Sequence, residues 1–168
     1  MIDGRTLLYV GVALGILGLA VGVALIGPSD FFLPESATRV EESPDERGVV
    51  LKRGTFVGTA GHDVDGTVSL VRDEDGLSLR FENYTQTQGP DVFVFVTPSS
   101  TPDTRAEIRA GQKVLVTGGA DGGESTKEGT FVQRLPAGTD PADIGGVGIW
   151  CERFATPFGY AELAAVSG

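Results

Sequence analysis

The 168-residue chain contains one Cys, one His, one Trp and only three Lys. A single cysteine, Cys151, excludes an intramolecular disulfide and any zinc or iron–sulfur site that needs paired cysteines from one chain. With His62 as the only imidazole, one chain cannot assemble a two-His, one-Cys copper site. Any metal centre would have to draw on Asp and Glu or on a second molecule, so no metal site is expected. No cofactor can be named from the residues. Cations are also scarce, 13 Lys and Arg against 23 Asp and Glu, for a net charge of −10. The cations are scattered, so no stripe can follow a phosphate backbone, and nucleic acid is not an expected partner. An acidic, Lys-poor surface suits high salt, where screening shortens self-repulsion to a few ångströms. A halophilic setting is therefore expected.

One apolar run stands out against this charge. Leu7 to Gly27 has no charged residue over 21 positions. As a helix it would span about 32 Å, the thickness of a bilayer's hydrocarbon core. A buried core helix would carry a polar face, and this run has none. The expectation is a single-pass membrane anchor over 1–27, with a signal peptide cleaved near Gly22-Val23-Ala24 as the alternative. Arg5 precedes the run, and Asp30 and Glu35 follow it, which favours an inside amino terminus and an extracytoplasmic remainder. Gly11, Gly15, Gly18 and Gly22 would also permit close helix approach. Residues 28–48 are rich in Pro, Ser and acid, a composition that favours a flexible linker.

From Val49 to Gly168 the pattern is short runs and frequent turns. RGTFVG, GTVSLVR, LSLRFEN, DVFVFVT, KVLVTG, GTFVQRL, VGIWCER and FGYAEL read as eight strands. Eight short strands over about 120 residues predict an all-β sandwich or barrel. Asp73-Glu74-Asp75-Gly76 predicts a hairpin turn with positive φ at Gly76. TRAEIRAG is the one stretch with helical character, enough for a single turn. GGADGGES (Gly118 to Ser125) imitates a phosphate loop, but Glu124 stands where the cation belongs and would repel phosphate. His62, Asp63 and Asp65 are polar-ligand candidates with calcium-loop spacing, without the downstream Gly and Glu of an EF-hand. A tight turn closed by Asx side chains is the better account of HDVDG. Asn83-Tyr84-Thr85 is an N-glycosylation acceptor, and Asn83 is the chain's only Asn. No Ser lies in a nucleophile-elbow context, so hydrolase chemistry is not indicated.

Trp150 and Cys151 are adjacent. In a strand, Val147, Ile149 and Cys151 point one way while Trp150, Glu152 and Phe154 point the other. Cys151 thus shares a face with two apolar residues, as a core thiol does. Buried away from positive charge it would be inert, and only Arg153 is placed to lower its pKa.

GTF (Gly54 to Phe56), HDVDGTV, LRFENY (Leu79 to Tyr84), GPDVFVFV (Gly89 to Val96), Leu135-Pro136, IWCERF (Ile149 to Phe154) and FGYAEL occur in that order. Together they resemble the DM-thirteen domain, the small extracytoplasmic module often found beside DOMON domains. That family more often has Phe where Tyr84 stands, and Thr97 to Gly129 carries little of the resemblance. The resemblance implies an all-β electron-transfer module with Cys151 as the relay group, and Trp150, Gly89, Pro90 and Asp91 as architecture. Two readings follow. One is a membrane-tethered redox module served by a metal or a redox partner protein. The other is a non-catalytic surface module, binding another surface protein, in which Cys151 is packing. A disulfide through Cys151 between two chains is a further use open to a lone exported thiol.

Overall fold

The computed structural model describes residues 36–42 and 48–166, and within them the chain forms ten strands, one short α-helix and a 3₁₀ turn at Pro141–Asp143. The strands are β1 (Thr38–Glu41), β2 (Val49–Gly58), β3 (Val64–Asp73), β4 (Gly76–Gln86), β5 (Val92–Thr97), β6 (Gln112–Val114), β7 (Lys127–Arg134), β8 (Gly146–Cys151), β9 (Thr156–Glu162) and β10 (Ala164–Ala165). All eight expected strands are present. They form a single sheet in the order β1-β7-β4-β3-β2-β9-β8-β5-β6, with β10 added to β2. The sheet curls into a half-barrel, so the two expected architectures resolve in favour of one continuous curved layer. Every pairing is antiparallel except β1 with β7. The open side is closed by the chain between β6 and β7, where Ser125 N–H donates to Val92 O (2.8 Å) and Thr117 N–H to Gln133 Oε1 (2.7 Å).

The anchor expected at 1–27 lies outside the described residues. Among the described residues no helix is long and apolar enough to cross a membrane. Within the segment expected as a linker, Thr38–Glu41 is a strand. Its side chains are mostly exposed, so backbone pairing with β7 rather than apolar burial defines it.

Of the sheet's four register shifts, two form bulges that face each other on β3 and β4. On β4, Leu77, Leu79 and Phe81 enter the core at a spacing of two; then Asn83 takes φ 52° and the register with β7 shifts between Phe81 and Tyr84. The extra residue resets the alternation, so Tyr84 also points inward. Asn is among the few residues that tolerate this conformation. Opposite it on β3, Gly66 takes φ 105°, and a Cβ there would lie 2.8 Å from the Asn83 and Glu82 carbonyls. Phe56, Phe81, Tyr84 and Phe131 consequently pack ring on ring in the concave core.

The convex face is only partly solvated. β5 and β8 are buried on both sides. Phe93, Phe95 and Trp150 form a second, smaller cluster with Ile108. Ile108 comes from α1 (Arg105–Arg109), the one-turn helix expected from TRAEIRAG. Thr104 caps it: Glu107 N–H donates to Thr104 Oγ1, and the Glu107 carboxylate accepts from Thr104 N–H. The contact is close, since a Cβ on Gly148 would lie 2.7 Å from Ile108 Cδ1.

β3 departs from simple half-burial, with Ser69 and Val71 buried as well as Val68 and Leu70. Its outer face is covered by Arg53, which donates to Ser69 Oγ (3.1 Å) and to Glu82 Oε2 (2.7 Å), the latter also accepting from Thr67 Oγ1 (3.1 Å). The chain's three lysines, Lys52, Lys113 and Lys127, are also each fixed. Lys52 Nζ donates to Ile144 O (2.5 Å). Lys113 Nζ sits 3.8 Å over the Phe93 ring and 2.5 Å from Glu152 Oε2. Lys127 Nζ lies 3.3 Å from Glu42 Oε1 and 4.8 Å over the Phe131 ring.

Candidate functional site

Loops gather at one end of the half-barrel: the β2–β3 turn, the β4–β5 connection, Glu124–Thr126 before β7, and the β8–β9 turn. β8 ends at Cys151, which pairs with Val92 of β5 on one side and with Thr156 of β9 on the other. As alternation predicts, its side chain joins Val147 and Ile149 in the main core while Trp150 faces the outer cluster. The pair is adjacent in sequence and separated by the sheet. Cys151 is 0 % exposed, and its thiol donates to Pro90 O (3.2 Å).

Pro90 belongs to the GPD turn, whose three residues all have a structural part. A Cβ on Gly89 would sit 3.1 Å from the edge of the Phe158 ring. Pro90 supplies the carbonyl over the thiol. Asp91 takes φ 56°, a left-handed conformation that costs a non-glycine residue on the order of 1 kcal/mol. Its N–H donates to Glu124 Oε1 (3.0 Å), its carbonyl accepts from Glu152 N–H (2.8 Å) and its Oδ2 accepts from Arg153 Nε (2.7 Å). Arg153 lies beyond the end of β8, in the turn to β9, with its guanidinium held by Asp91.

The Arg153 hydrogen bond holds the Asp91 carboxyl below the usual carboxylate range, against some desolvation, and raises Arg153 in return. A depressed folded-state pKa gives stability that is present above the unfolded value and lost as pH falls through the folded one. With Asp91 36 % and Arg153 57 % exposed, solvent screening keeps the pair's contribution small. Asp91→Asn is therefore expected to cost less than about 1 kcal/mol at pH 7. That cost should vanish in acid once Asp91 itself is protonated, which chemical denaturation at neutral and acid pH would show.

Behind the turn is a buried polar group. Tyr84 Oη donates to Gln86 Oε1, Gln86 Nε2 donates to Ser125 O, and Ser125 Oγ donates to Gln86 Oε1 (3.3 Å). Burial pushes the Tyr84 phenol well above its ordinary pKa. The hydroxyl that separates Tyr84 from the more usual Phe is thus satisfied locally. Glu124 is 5 % exposed and completes this wall. In the sequence, Glu124 stands out only as the residue that spoils a phosphate loop. Its partner Asp91 lies 33 positions away, and no local signal connects them.

The other candidates are more dispersed. His62 stacks on Phe158, with ring centroids 3.7 Å apart and planes 14° apart, at this same end. Asp63 N–H donates to Thr87 Oγ1 (2.9 Å), and Asp65 sits exposed on β3 opposite Thr85. The turn before them is closed by its backbone, His62 N–H to Thr59 O (2.9 Å), with Ala60 and Gly61 both at positive φ. That replaces the Asx closure expected there. Among the described residues no group of three or more His, Cys, Asp or Glu side chains could hold a metal ion. Asn83 is exposed, at its bulge.

Chemically, this end offers one thiol beneath the Pro90 carbonyl, while Asp91, Glu124, Glu152, Arg153 and Lys113 are linked to one another in the surrounding turns. Comparison with curated proteins and with solved structures gives no match. The family profile described as Electron transfer DM13 matches residues 55–163, which span β2 through β9 and include both GPD and IWC. The chain belongs to the Electron transfer DM13 family.

Proposed function

We propose that this protein is a membrane-tethered, extracytoplasmic electron-transfer module in which Cys151 is the redox group. The family membership supports the electron-transfer class, and the apolar run Leu7 to Gly27 supports the tether. The observation that carries the role of Cys151 is that GPD and IWC meet at one atom, Sγ of Cys151, through its bond to Pro90 O. A thiol alone is a poor one-electron carrier, so a metal or a redox partner protein would supply the second site.

One observation favours the second reading, a non-catalytic surface module: the sulfur is fully buried among apolar residues. Free Cys is among the most buried residue types for packing reasons alone. A disulfide to another chain would first require that burial to open.

Cys151→Ser separates the two. The serine hydroxyl can still donate to Pro90 O, so the fold is expected to lose less than about 2 kcal/mol. Under the electron-transfer reading, full-length protein purified from membranes has a visible absorption band that responds to reductant and is lost in Cys151→Ser. A spectrum unchanged by the substitution, or no band in either protein, supports the packing role.

A further inference from the structure

The cover over the thiol is short: Gln88 Nε2 donates to Glu128 Oε1 (3.0 Å) at its start, and further polar ties are at its last two residues. Thr87 is tied to Asp63 in both directions, by Thr87 N–H to Asp63 O (2.7 Å) and Asp63 N–H to Thr87 Oγ1 (2.9 Å). Val92 is already in the ladder with Cys151. Between them lie only residues 88–91. Pro90 has no N–H to contribute. What holds this end down is the Cys151 thiol on Pro90 O, the Glu124 carboxylate on Asp91 N–H, the Glu152 N–H on Asp91 O and the Arg153 guanidinium on Asp91 Oδ2. Three of these four bonds depend on a side chain. The segment is closed in a conformation that Asp91 adopts only under strain, so opening would relieve φ 56° as it releases the ion pair. Cys151 otherwise packs within the main core.

We propose that Gln88–Asp91 is a latched lid over the Cys151 thiol, pinned by Asp91–Arg153 and by Glu124, and that its opening sets how fast a reagent or redox partner reaches the sulfur. The proposal rests on the reading of Cys151 as the reacting group and names what regulates it. The lid itself can be tested whatever chemistry the thiol performs.

The test is alkylation of Cys151 by iodoacetamide in the folded full-length protein, followed by mass spectrometry over a series of low denaturant concentrations. A lid predicts a rate nearly independent of denaturant, because local opening exposes little surface. Asp91→Asn and Arg153→Gln should each accelerate labelling about two- to fivefold, as expected for loss of a partly exposed pair. The double variant should label no faster than the faster single one, since both remove the same contact. Arg134→Gln, which breaks the ion pairs to Asp73 and Asp75 at the opposite end, should label at the wild-type rate. Labelling that follows the denaturant slope of global unfolding overturns the lid. So does a wild-type rate in both Asp91→Asn and Arg153→Gln, or an equal acceleration in Arg134→Gln. A lid that opens as described over a spectroscopically silent thiol would leave this inference standing and remove the redox role.

Discussion

Phe81→Ala is expected to lower folding stability by about 3–5 kcal/mol. Phe81 is fully buried at the centre of the aromatic group, with ring centroids 4.6 Å from Phe131, 5.1 Å from Tyr84 and 6.0 Å from Phe56. Those rings belong to β7, β4 and β2, so the walls of the new cavity are fixed by three different strands and cannot close on it. Total stability of a domain this size is about 5–15 kcal/mol, so the variant should sit close to its folding threshold. In urea the midpoint should fall with the slope unchanged. A loss below about 1.5 kcal/mol would mean that the rings repack freely and that the concave side is not the main core.

Trp150→Ala carries a similar expected cost, about 3–5 kcal/mol, distributed differently. Trp150 pairs with Phe93 across β8 and β5 and meets Ile108 and Phe95 in an outer cluster of four buried residues. Removing the indole takes away the largest side chain of the cluster that Ile108 joins. Amide exchange around Ile108 should therefore accelerate by about a hundredfold or more, while β3, β4 and β7 keep their protection. Uniform acceleration across all strands would show that the two clusters unfold as one unit. Unchanged exchange at Ile108 would show that α1 is held by its cap rather than by the indole.

These two variants also mark what the sequence made legible. Period-two alternation placed Trp150 and Cys151 on opposite faces of one strand, and the structure has them there. Positive φ at Gly76 followed from turn chemistry and the single turn of α1 from the helical character of TRAEIRAG, while its Thr104 cap emerged only in the structure. Alternation could not report the curl of the sheet, nor the bulges at Gly66 and Asn83 that face each other across β3 and β4. Nor could it find β1, because TRVE buries little and is a strand only where β7 offers a free edge. KVLVTG has the pattern of a strand throughout, yet β6 stops at Val114 and Leu115 is exposed. There the chain turns, with Val116 N–H donating to Gly123 O (3.0 Å). At the site, the motif residues Gly89, Pro90, Asp91 and Cys151 were each visible in sequence. Their convergence was not, because it depends on a strand register linking positions 61 apart. Arg153 was visible as a cation near the sulfur. Its engagement with Asp91 depends on the β8–β9 turn, which no periodicity describes.

The lysines described above have a practical corollary. Each ammonium group is engaged by a backbone carbonyl, or by a carboxylate and an aromatic face. Acylating the side-chain amines of this chain is thus never a cosmetic change of coat. Every such adduct detaches a strut, at the 3₁₀ turn, at the β8–β9 turn or at the seam where β1 joins the sheet.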